Sequence, residues 1–346
     1  MDLTATGSVP ERSIAVDVDE LRAAVATATT VSTVGGRTHW EVGGAPPEHA
    51  VEVSAPGGVT KYDPADLTVV VNAGTTCAEL GAVLAAAGQE CPLDPRSGRA
   101  TVGGALAVGL SGHRRLRYGP LRDYVLEVRF VTADGRLVTG GGPTVKNVTG
   151  YDLPRLLVGS LGTIGVMVRV ILRCQPLAAV AEWTVTDGDP FDVRRRTFRP
   201  SCIVWDGHRT HVLLEGVPAD VAGERAAIRS EPSPAPVWPD GPHRGRLSVR
   251  PGLLPALAPA LDGTGVHWLA EVGVGTVHVA SDSDTGLARA RAIAEGAGGW
   301  MLREHGAPAL DGFGSARPNP GMTERVRAAF DPTGKLSPGR LGPVRG

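Results

Sequence analysis

Three segments of the chain repeat apolar residues at the spacing of an amphipathic helix. The pattern predicts helices over residues 17–30, 76–87 and 284–297. The second opens on Thr76 with Glu79 three residues later, the capping-box signature of a helix N-terminus. All three helices are expected to turn their apolar stripe towards a hydrophobic core.

Several shorter segments are rich in β-branched and apolar residues, as strands are. Asp134 and Gly135 separate two of these segments and predict a tight hairpin turn. In the last segment an apolar face alternates with a face that carries Arg169 and Arg173, which predicts a half-buried strand. The predicted strands cover residues 31–34, 67–71, 124–132, 136–139 and 166–173.

The character of the sequence changes after residue 176, and residues 230–260 are rich in proline, serine and glycine. A chain of 346 residues is long enough for about two domains. We therefore expect one domain over residues 1–176, a second over 177–300, and a C-terminal segment, 301–346, that returns to the first. Residues 330–340 are too rich in turn-forming residues to be expected in a core.

The composition excludes some classes of partner. Lysine and arginine number 35 and aspartate and glutamate 36, which leaves a net charge of −1. Such a balance argues against nucleic acid or an anionic membrane surface as the main partner. No uncharged apolar stretch approaches about 18 residues, so no transmembrane segment is expected. The N-terminal residues lack a signal-peptide pattern, and the cytoplasm is the expected location.

Cysteine spacing adds a further exclusion. The four cysteines lie far apart and no C-x-x-C motif is present, which disfavours a zinc knuckle, an iron–sulfur cluster and a thioredoxin-like site. They are Cys77, Cys91, Cys174 and Cys202.

Glycine clusters interleave with the strands of the first half, at residues 35–36, 103–104, 140–142 and 159–165. Glycine has no Cβ, so such loops let a long ligand approach the backbone, and their amides can hold a pyrophosphate. The two common nucleotide loops are absent. The run from Gly159 is spaced G-x-x-G-x-x-G rather than G-x-G-x-x-G, and no G-x-x-x-x-G-K-[ST] exists.

Seven motifs in this order resemble the vanillyl-alcohol-oxidase, or PCMH-type, family of FAD-binding flavoproteins. They lie at residues 34–38, 67–74, 92–95, 100–104, 117–123, 146–153 and 158–166. Within that family the chain is most similar to the FAD-binding subunit branch of glycolate oxidase, which shares the tail pattern of residues 331–340. The resemblance is strong over about 150 residues and nearly absent over 180–265.

The resemblance implies an α+β fold, in which a PCMH-type domain of two α/β subdomains binds FAD beneath a smaller α/β cap. It also implies that the FAD is bound without a covalent link, although His39 and His113 stand near the expected cofactor. The implied cofactor-binding residues are Gly35, Gly36, Arg37, Thr38, His39, Asp94, Pro95, Thr101, Val102, Gly103, Gly104, Ser111, Gly112, Tyr118, Gly119, Gly162, Thr163, Ile164, Gly165 and Val166.

Metal ligation is less well supported. Related 2-hydroxy-acid dehydrogenases carry His-x-Gly-Asp-Gly-Asn-Leu-His and a later Glu-His-Gly, which supply metal ligands. This chain keeps the spacing, but Glu271 replaces the first histidine, Val274 the aspartate and Thr276 the asparagine. We therefore expect no metal, with Glu271, His278 and Glu304 as weak candidate ligands.

Three functional hypotheses follow from the resemblance. The first is an FAD-binding subunit that oxidises a 2-hydroxy acid such as glycolate by hydride transfer to flavin N5. Its electrons would pass to a partner, with a catalytic flavoprotein and an iron–sulfur subunit as the expected partners. Association of the cytoplasmic chain with a membrane through such a complex also stays open. The second is a stand-alone FAD oxidoreductase of another alcohol, lactone or sugar. The third is an interaction protein that has lost its flavin, which the intact glycine series argues against.

The sequence assigns no catalytic residue. Leu161 stands where catalytic relatives carry a glutamate, so a flavin-binding partner subunit without chemistry of its own also stays open.

Overall fold

The computed structural model describes residues 11–45, 47–143, 151–314 and 319–341. Residues 146–150 of the motif at 146–153 lie outside the described residues. Two antiparallel sheets dominate the structure, one in each half of the chain, and two small two-stranded sheets accompany the first.

The first half contains nine strands and five helices among the described residues. The strands are β1 Val31–Thr33, β2 Val51–Val53, β3 Val59–Asp63, β4 Thr68–Asn72, β5 Gln89–Glu90, β6 Val125–Val131, β7 Leu137–Gly141, β8 Val166–Arg173 and β9 Gln175–Pro176. The helices are α1 Glu11–Thr27, α2 Cys77–Ala85, α3 Val102–Val108, α4 Arg115–Tyr118 and α5 Leu153–Leu157.

The first sheet has five strands in the order β3-β4-β8-β6-β7. The predicted turn at Asp134 and Gly135 joins β6 to β7, and Gly135 adopts the left-handed conformation with φ +80°. The capping box of α2 is also confirmed, since the side chains and backbones of Thr76 and Glu79 bond reciprocally. Helix α1 differs from the prediction because it begins at Glu11 and ends at Thr27.

The prediction of a half-buried β8 was wrong. β8 is the central strand of the sheet, and its two arginines are the only positions that are not buried. Val166 packs with Leu21 of α1 on one face, and Met167 packs with Leu106 of α3 on the other. The strand reads as amphipathic only because Arg169 and Arg173 interrupt its second face.

The second half forms the cap. Its strands are β10 Val180–Thr186, β11 Cys202–Trp205, β12 Thr210–Gly216, β13 Glu231–Pro232, β14 His243–Ser248, β15 His267–Glu271, β16 Thr276–Ser281 and β17 Trp300–His305. Its helices are α6 Pro190–Arg196, α7 Pro218–Ala227, α8 Leu254–Asp262 and α9 Asp284–Gly296. The eight strands lie in the order β13-β10-β12-β11-β15-β16-β14-β17, and helices α6–α9 pack on one face of this sheet.

The C-terminal segment lies against the first half of the chain. Helix α10, Pro320–Phe330, places Phe330 beside Phe130, with 6.4 Å between the ring centroids. Leu336 forms a parallel bridge with Val31 and is 1% exposed. The expectation that this tail contributes nothing to a core was therefore wrong at Leu336, which completes the cluster that contains Val25 and Val31.

The cap sheet extends to His305, five residues beyond the predicted end of the second domain. We propose that the domain division lies between β9 and β10. No helix among the described residues is both long enough and apolar enough to cross a bilayer.

Candidate functional site

A cleft that is open to solvent runs through the first domain. Its walls are the loop 33–40, the first turns of α3 and the loop 161–165, and Arg340 of the C-terminal segment also lines it. The glycine clusters at residues 35–36, 103–104 and 162–165 therefore meet at one place.

The loop at residues 35–38 presents a run of free amides to this cleft. The backbone N–H groups of Gly35, Gly36, Arg37 and Thr38 have no partner within the part of the chain that the structure describes. Arg37 has φ +54°, and a left-handed residue in such a run turns successive amides towards one point. This geometry suits a pyrophosphate.

The amides at residues 102–104, which are among the implied cofactor-binding residues, are already hydrogen-bonded within the protein. The N–H of Val102 donates to Thr75 and that of Gly103 to Ala73. The N–H of Gly104 donates to the hydroxyl of Thr101, which caps α3. Thr101, Gly103 and Gly104 line the cleft, so this segment shapes the wall, whereas Val102 is wholly buried.

At residues 162–166 also, some residues line the cleft and others are buried away from it. Gly162 and Gly165 line the cleft, and the N–H groups of Gly162, Ile164 and Gly165 have no partner among the described residues. The side chains of Thr163, Ile164 and Val166 are buried away from it.

Arg340 is a buried cation that faces the cleft, and it was not among the predicted site residues. Arg340 packs over the ring of Trp40 at 5.0 Å and donates to the carbonyl of Val42. Burial lowers the pKa of Arg340 to about 10. Arg37, which was expected to add charge, is half exposed and paired with Glu52 at 2.5 Å. The signal for Arg340 was present in the Pro-Gly-Arg tail pattern.

The cleft continues past Thr38, His39 and Val108 into a second chamber, which is larger and also open to solvent. The predicted residues Asp94, Pro95, Ser111 and Gly112 line this chamber. The cap closes its other side with Trp238, Asp240, Arg244, Arg246, His278 and Glu304. The chamber therefore lies between the two domains.

Asp94 lines the chamber, and Arg114 donates to both of its carboxylate oxygens, at 2.7 and 2.9 Å. Gly112 is required beside it, since a Cβ there would stand 2.1 Å from the Cβ of Asp94. Tyr118 and Gly119 line neither the cleft nor the chamber. The Tyr118 hydroxyl instead donates to Glu215 of the cap at 2.8 Å.

Arginines dominate the cap side of the chamber, and sequence reasoning missed them. Arg246 donates to Glu304 at 3.2 Å, and Arg96 of the first domain lies 3.6 Å from the same carboxylate. Arg244 pairs with Asp240. Burial alone would raise the pKa of Glu304, but the guanidinium groups of Arg246 and Arg96 outweigh it and lower that pKa.

A second pair lies beside these arginines. Nε2 of His278 is 2.6 Å from Oε1 of Glu271, and both side chains are buried. Burial raises the pKa of Glu271 to about 7 and lowers that of His278 well below its usual range. His278 is therefore neutral, and its Nδ1 has no partner among the described residues. The ring of Trp238 meets it edge-on at 4.9 Å.

The weak metal candidates do not gather into a metal centre. Within the described ranges, no group of three or more histidine, cysteine, aspartate or glutamate side chains could hold a metal ion. Glu304 is bonded to Arg246, while Glu271 and His278 are bonded to each other. The side chains present therefore do not fit a divalent cation.

Comparisons with known proteins agree with this geometry. Residues 13–141 match the model of the FAD binding domain family. The chain is 34% identical to glycolate oxidase subunit GlcE of Escherichia coli K12 over 161 residues, 46% of each chain. It is 38% identical to D-lactate dehydrogenase of Archaeoglobus fulgidus over 143 residues, 41% of this chain and 32% of that one.

The same fold occurs in a solved structure of alkyldihydroxyacetonephosphate synthase. The match has a TM-score of 0.68 at 16% identity and covers 92% of this chain and 74% of that one. It therefore extends the fold assignment across the cap as well as the first domain.

These matches show that the chain carries a PCMH-type FAD-binding domain in a mixed α+β fold and that FAD is its cofactor. Its relatives include glycolate oxidase subunits and D-lactate dehydrogenases. The matched regions span about half or less of the length of those relatives.

Proposed function

We propose that this protein is an FAD-dependent oxidoreductase subunit that acts on a 2-hydroxy acid such as glycolate and passes the electrons to a partner. The observation that carries the proposal is the arginine-rich chamber, which is continuous with the cofactor cleft. A 2-hydroxy acid is a small anion, and such a substrate requires fixed cations beside the flavin. The names of the relatives support the same substrate class.

The cleft residues fit the cofactor. The free amides of residues 35–38 and the guanidinium of Arg340 would hold the pyrophosphate, since both face the cleft and neither has a carboxylate partner among the described residues. Gly162 and Gly165 would flank the adenine end, whereas His39 and Ser111 would lie along the flavin. Bound FAD supplies a hydride acceptor at N5.

The chamber residues would divide the work on the substrate. Arg244 and Arg246 would bind the carboxylate, because charge-assisted hydrogen bonds to guanidinium are the strongest available to an anion. His278 would accept the hydroxyl proton at Nδ1. With Nε2–H donated to Glu271, Nδ1 carries the lone pair of the ring and is the nitrogen that can accept a proton.

Anaerobic reduction of the flavin tests this proposal. The FAD-loaded chain is mixed without oxygen with glycolate, D-lactate, a simple alcohol or an aldose, and the oxidised flavin band is followed. We expect the 2-hydroxy acids to bleach this band, and the alcohol and the aldose to leave it unchanged. His278→Gln should bind FAD normally but bleach roughly 100-fold more slowly or worse, the usual size of a general-base contribution.

Two other results would count against it. Bleaching by an alcohol or sugar alone would indicate a stand-alone oxidoreductase of another substrate. A flavin that none of these compounds reduces would indicate a partner subunit without chemistry of its own. Co-purification with a second flavoprotein and an iron–sulfur protein would support the subunit role. Loss of 2-hydroxy-acid oxidation when these proteins are removed would show that the oxidation depends on them.

A further inference from the structure

Arg246 lies at the centre of the three side chains that the metal-ligand pattern singles out. On the cap sheet β14 runs between β16 and β17, and Arg246 is directly opposite His278 on one side and Leu302 on the other. Glu304 is two residues beyond Leu302, so it projects to the same face of the sheet. The guanidinium therefore stands between the histidine and the carboxylate.

Arg246 is hydrogen-bonded to Glu304, the carboxylate that a metal ion would need as a ligand. Its Nε donates to Glu304 at 3.2 Å, and its Nη1 donates to the carbonyl of Ser111 in the first domain at 3.0 Å. The Glu304 side chain is 3% exposed and has Arg96 as a second cation. A buried carboxylate with two guanidinium partners is already compensated, and a divalent ion would have to displace one of them.

The other two candidate ligands are also engaged. Glu271 and His278 share a hydrogen bond of 2.6 Å, and both lie below one-tenth exposure. A metal at this place would need the lone pair of a histidine nitrogen and a free carboxylate oxygen. The hydrogen bond already uses one ring nitrogen of His278 and one carboxylate oxygen of Glu271. The positive charge of Arg246 beside them would also repel a metal cation.

We infer that Arg246 takes the place of a metal ion in this chamber, so that a fixed guanidinium rather than a divalent cation attracts the anionic ligand. Its Nη2 has no partner among the described residues and is the donor available to a carboxylate. Nε and Nη1 hold the group rigidly across the two domains. The inference deepens the proposed function, since it names the group that recognises the substrate class.

The first test measures metal directly and needs no catalysis. The full FAD-loaded chain is incubated with ZnCl₂ or CoCl₂, freed of unbound metal, and analysed by plasma mass spectrometry. Well below one metal ion per chain is expected. About one ion per chain that Glu304→Gln abolishes would overturn the inference.

The second test uses oxamate, a carboxylate that resembles a 2-hydroxy acid but has no hydroxyl to oxidise. Its binding is followed by the change in flavin absorbance, with and without EDTA. The chelator should change nothing. Arg246→Met should weaken binding roughly 10- to 100-fold, the value of a charged hydrogen bond. Arg246→Lys should retain part of the affinity, and Arg289→Met, which removes an exposed cation from α9, should retain all of it.

Loss of oxamate binding in EDTA, or equal affinity in Arg246→Met and the unmodified chain, would refute the inference. The Arg246→Lys variant keeps the test decisive if methionine prevents folding. Oxamate binding that depends on Arg246 while no 2-hydroxy acid reduces the flavin would refute the proposed function and leave this inference standing.

Discussion

Replacing Arg114 by methionine should destabilise the protein more than almost any other single substitution. This guanidinium makes five hydrogen bonds to three carboxylates, those of Glu90 and Asp94 in the first domain and Glu215 in the cap. The side chains are only 6–15% exposed. One residue therefore bridges carboxylates of both domains.

The expected loss follows from what each carboxylate keeps. Glu215 retains the hydroxyls of Tyr118 and Ser201, and Glu90 retains the side-chain amide of Gln175. Asp94 loses both of its side-chain hydrogen bonds. Leaving one buried charge uncompensated costs about 3–5 kcal/mol, against a total stability of roughly 5–15 kcal/mol.

Urea denaturation followed by tryptophan fluorescence measures this loss. Arg115→Met is the matched control, because that exposed neighbour has no carboxylate partner among the described residues and should change stability by less than about 0.5 kcal/mol. Destabilisation by Arg114→Met that does not exceed the control by about 1 kcal/mol would refute the argument.

The same variant has a predictable pH dependence. Burial alone would raise the pKa of Glu215, but Ser201, Arg114 and Tyr118 outweigh it and lower that pKa below its ordinary 4.5. A lowered carboxyl pKa stabilises the fold above 4.5, and this stability is lost as the pH falls through the folded value. The difference between Arg114→Met and the unmodified chain should therefore narrow below about pH 4.5.

Three further predictions concern the cofactor cleft, a helix and the buried pair. Arg340→Gln should weaken FAD binding roughly tenfold or more in a fluorescence titration, whereas Arg37→Gln should change it less, because Arg37 is neutralised at the surface. Gly81→Ala should stabilise the protein by about 0.5–1 kcal/mol in thermal melts, since position 81 is exposed on helix α2 and a Cβ there would contact no other atom. The raised pKa of Glu271 contributes stability that is present below pH 4.5 and lost as the pH rises towards 7. Glu271→Gln should remove this fall from stability curves measured between those two pH values.

Much of the cofactor cleft was predictable because its signals are local. The loop at residues 35–38 and the turn at Gly162 are each specified by a few consecutive residues, and the capping box of α2 is a three-residue signal. Tyr118 and Gly119 show the limit of that approach. They belong to a recognisable motif, but Tyr118 bonds the cap at Glu215 rather than facing the cleft.

The basic wall of the chamber could not be predicted from local patterns. Arg96, Arg246 and Glu304 are distant in the sequence and meet only because of the sheet register and the seating of the cap on the first domain. The burial of β8 was not predicted for a related reason, since its two faces are covered by α1 and α3, which come from remote parts of the chain.

The bridge between Val31 and Leu336 has a consequence for biosynthesis. Val31 donates to the carbonyl of Lys335 and accepts from the amide of Ser337, so the first domain gains an essential neighbour from about 300 residues later in the chain. Arg340, a cation of the cofactor cleft, arrives in the same late segment. The N-terminal half of the nascent chain therefore lacks these contacts until residues 335–337 have been made, and the cleft lacks Arg340 until the same segment is synthesised.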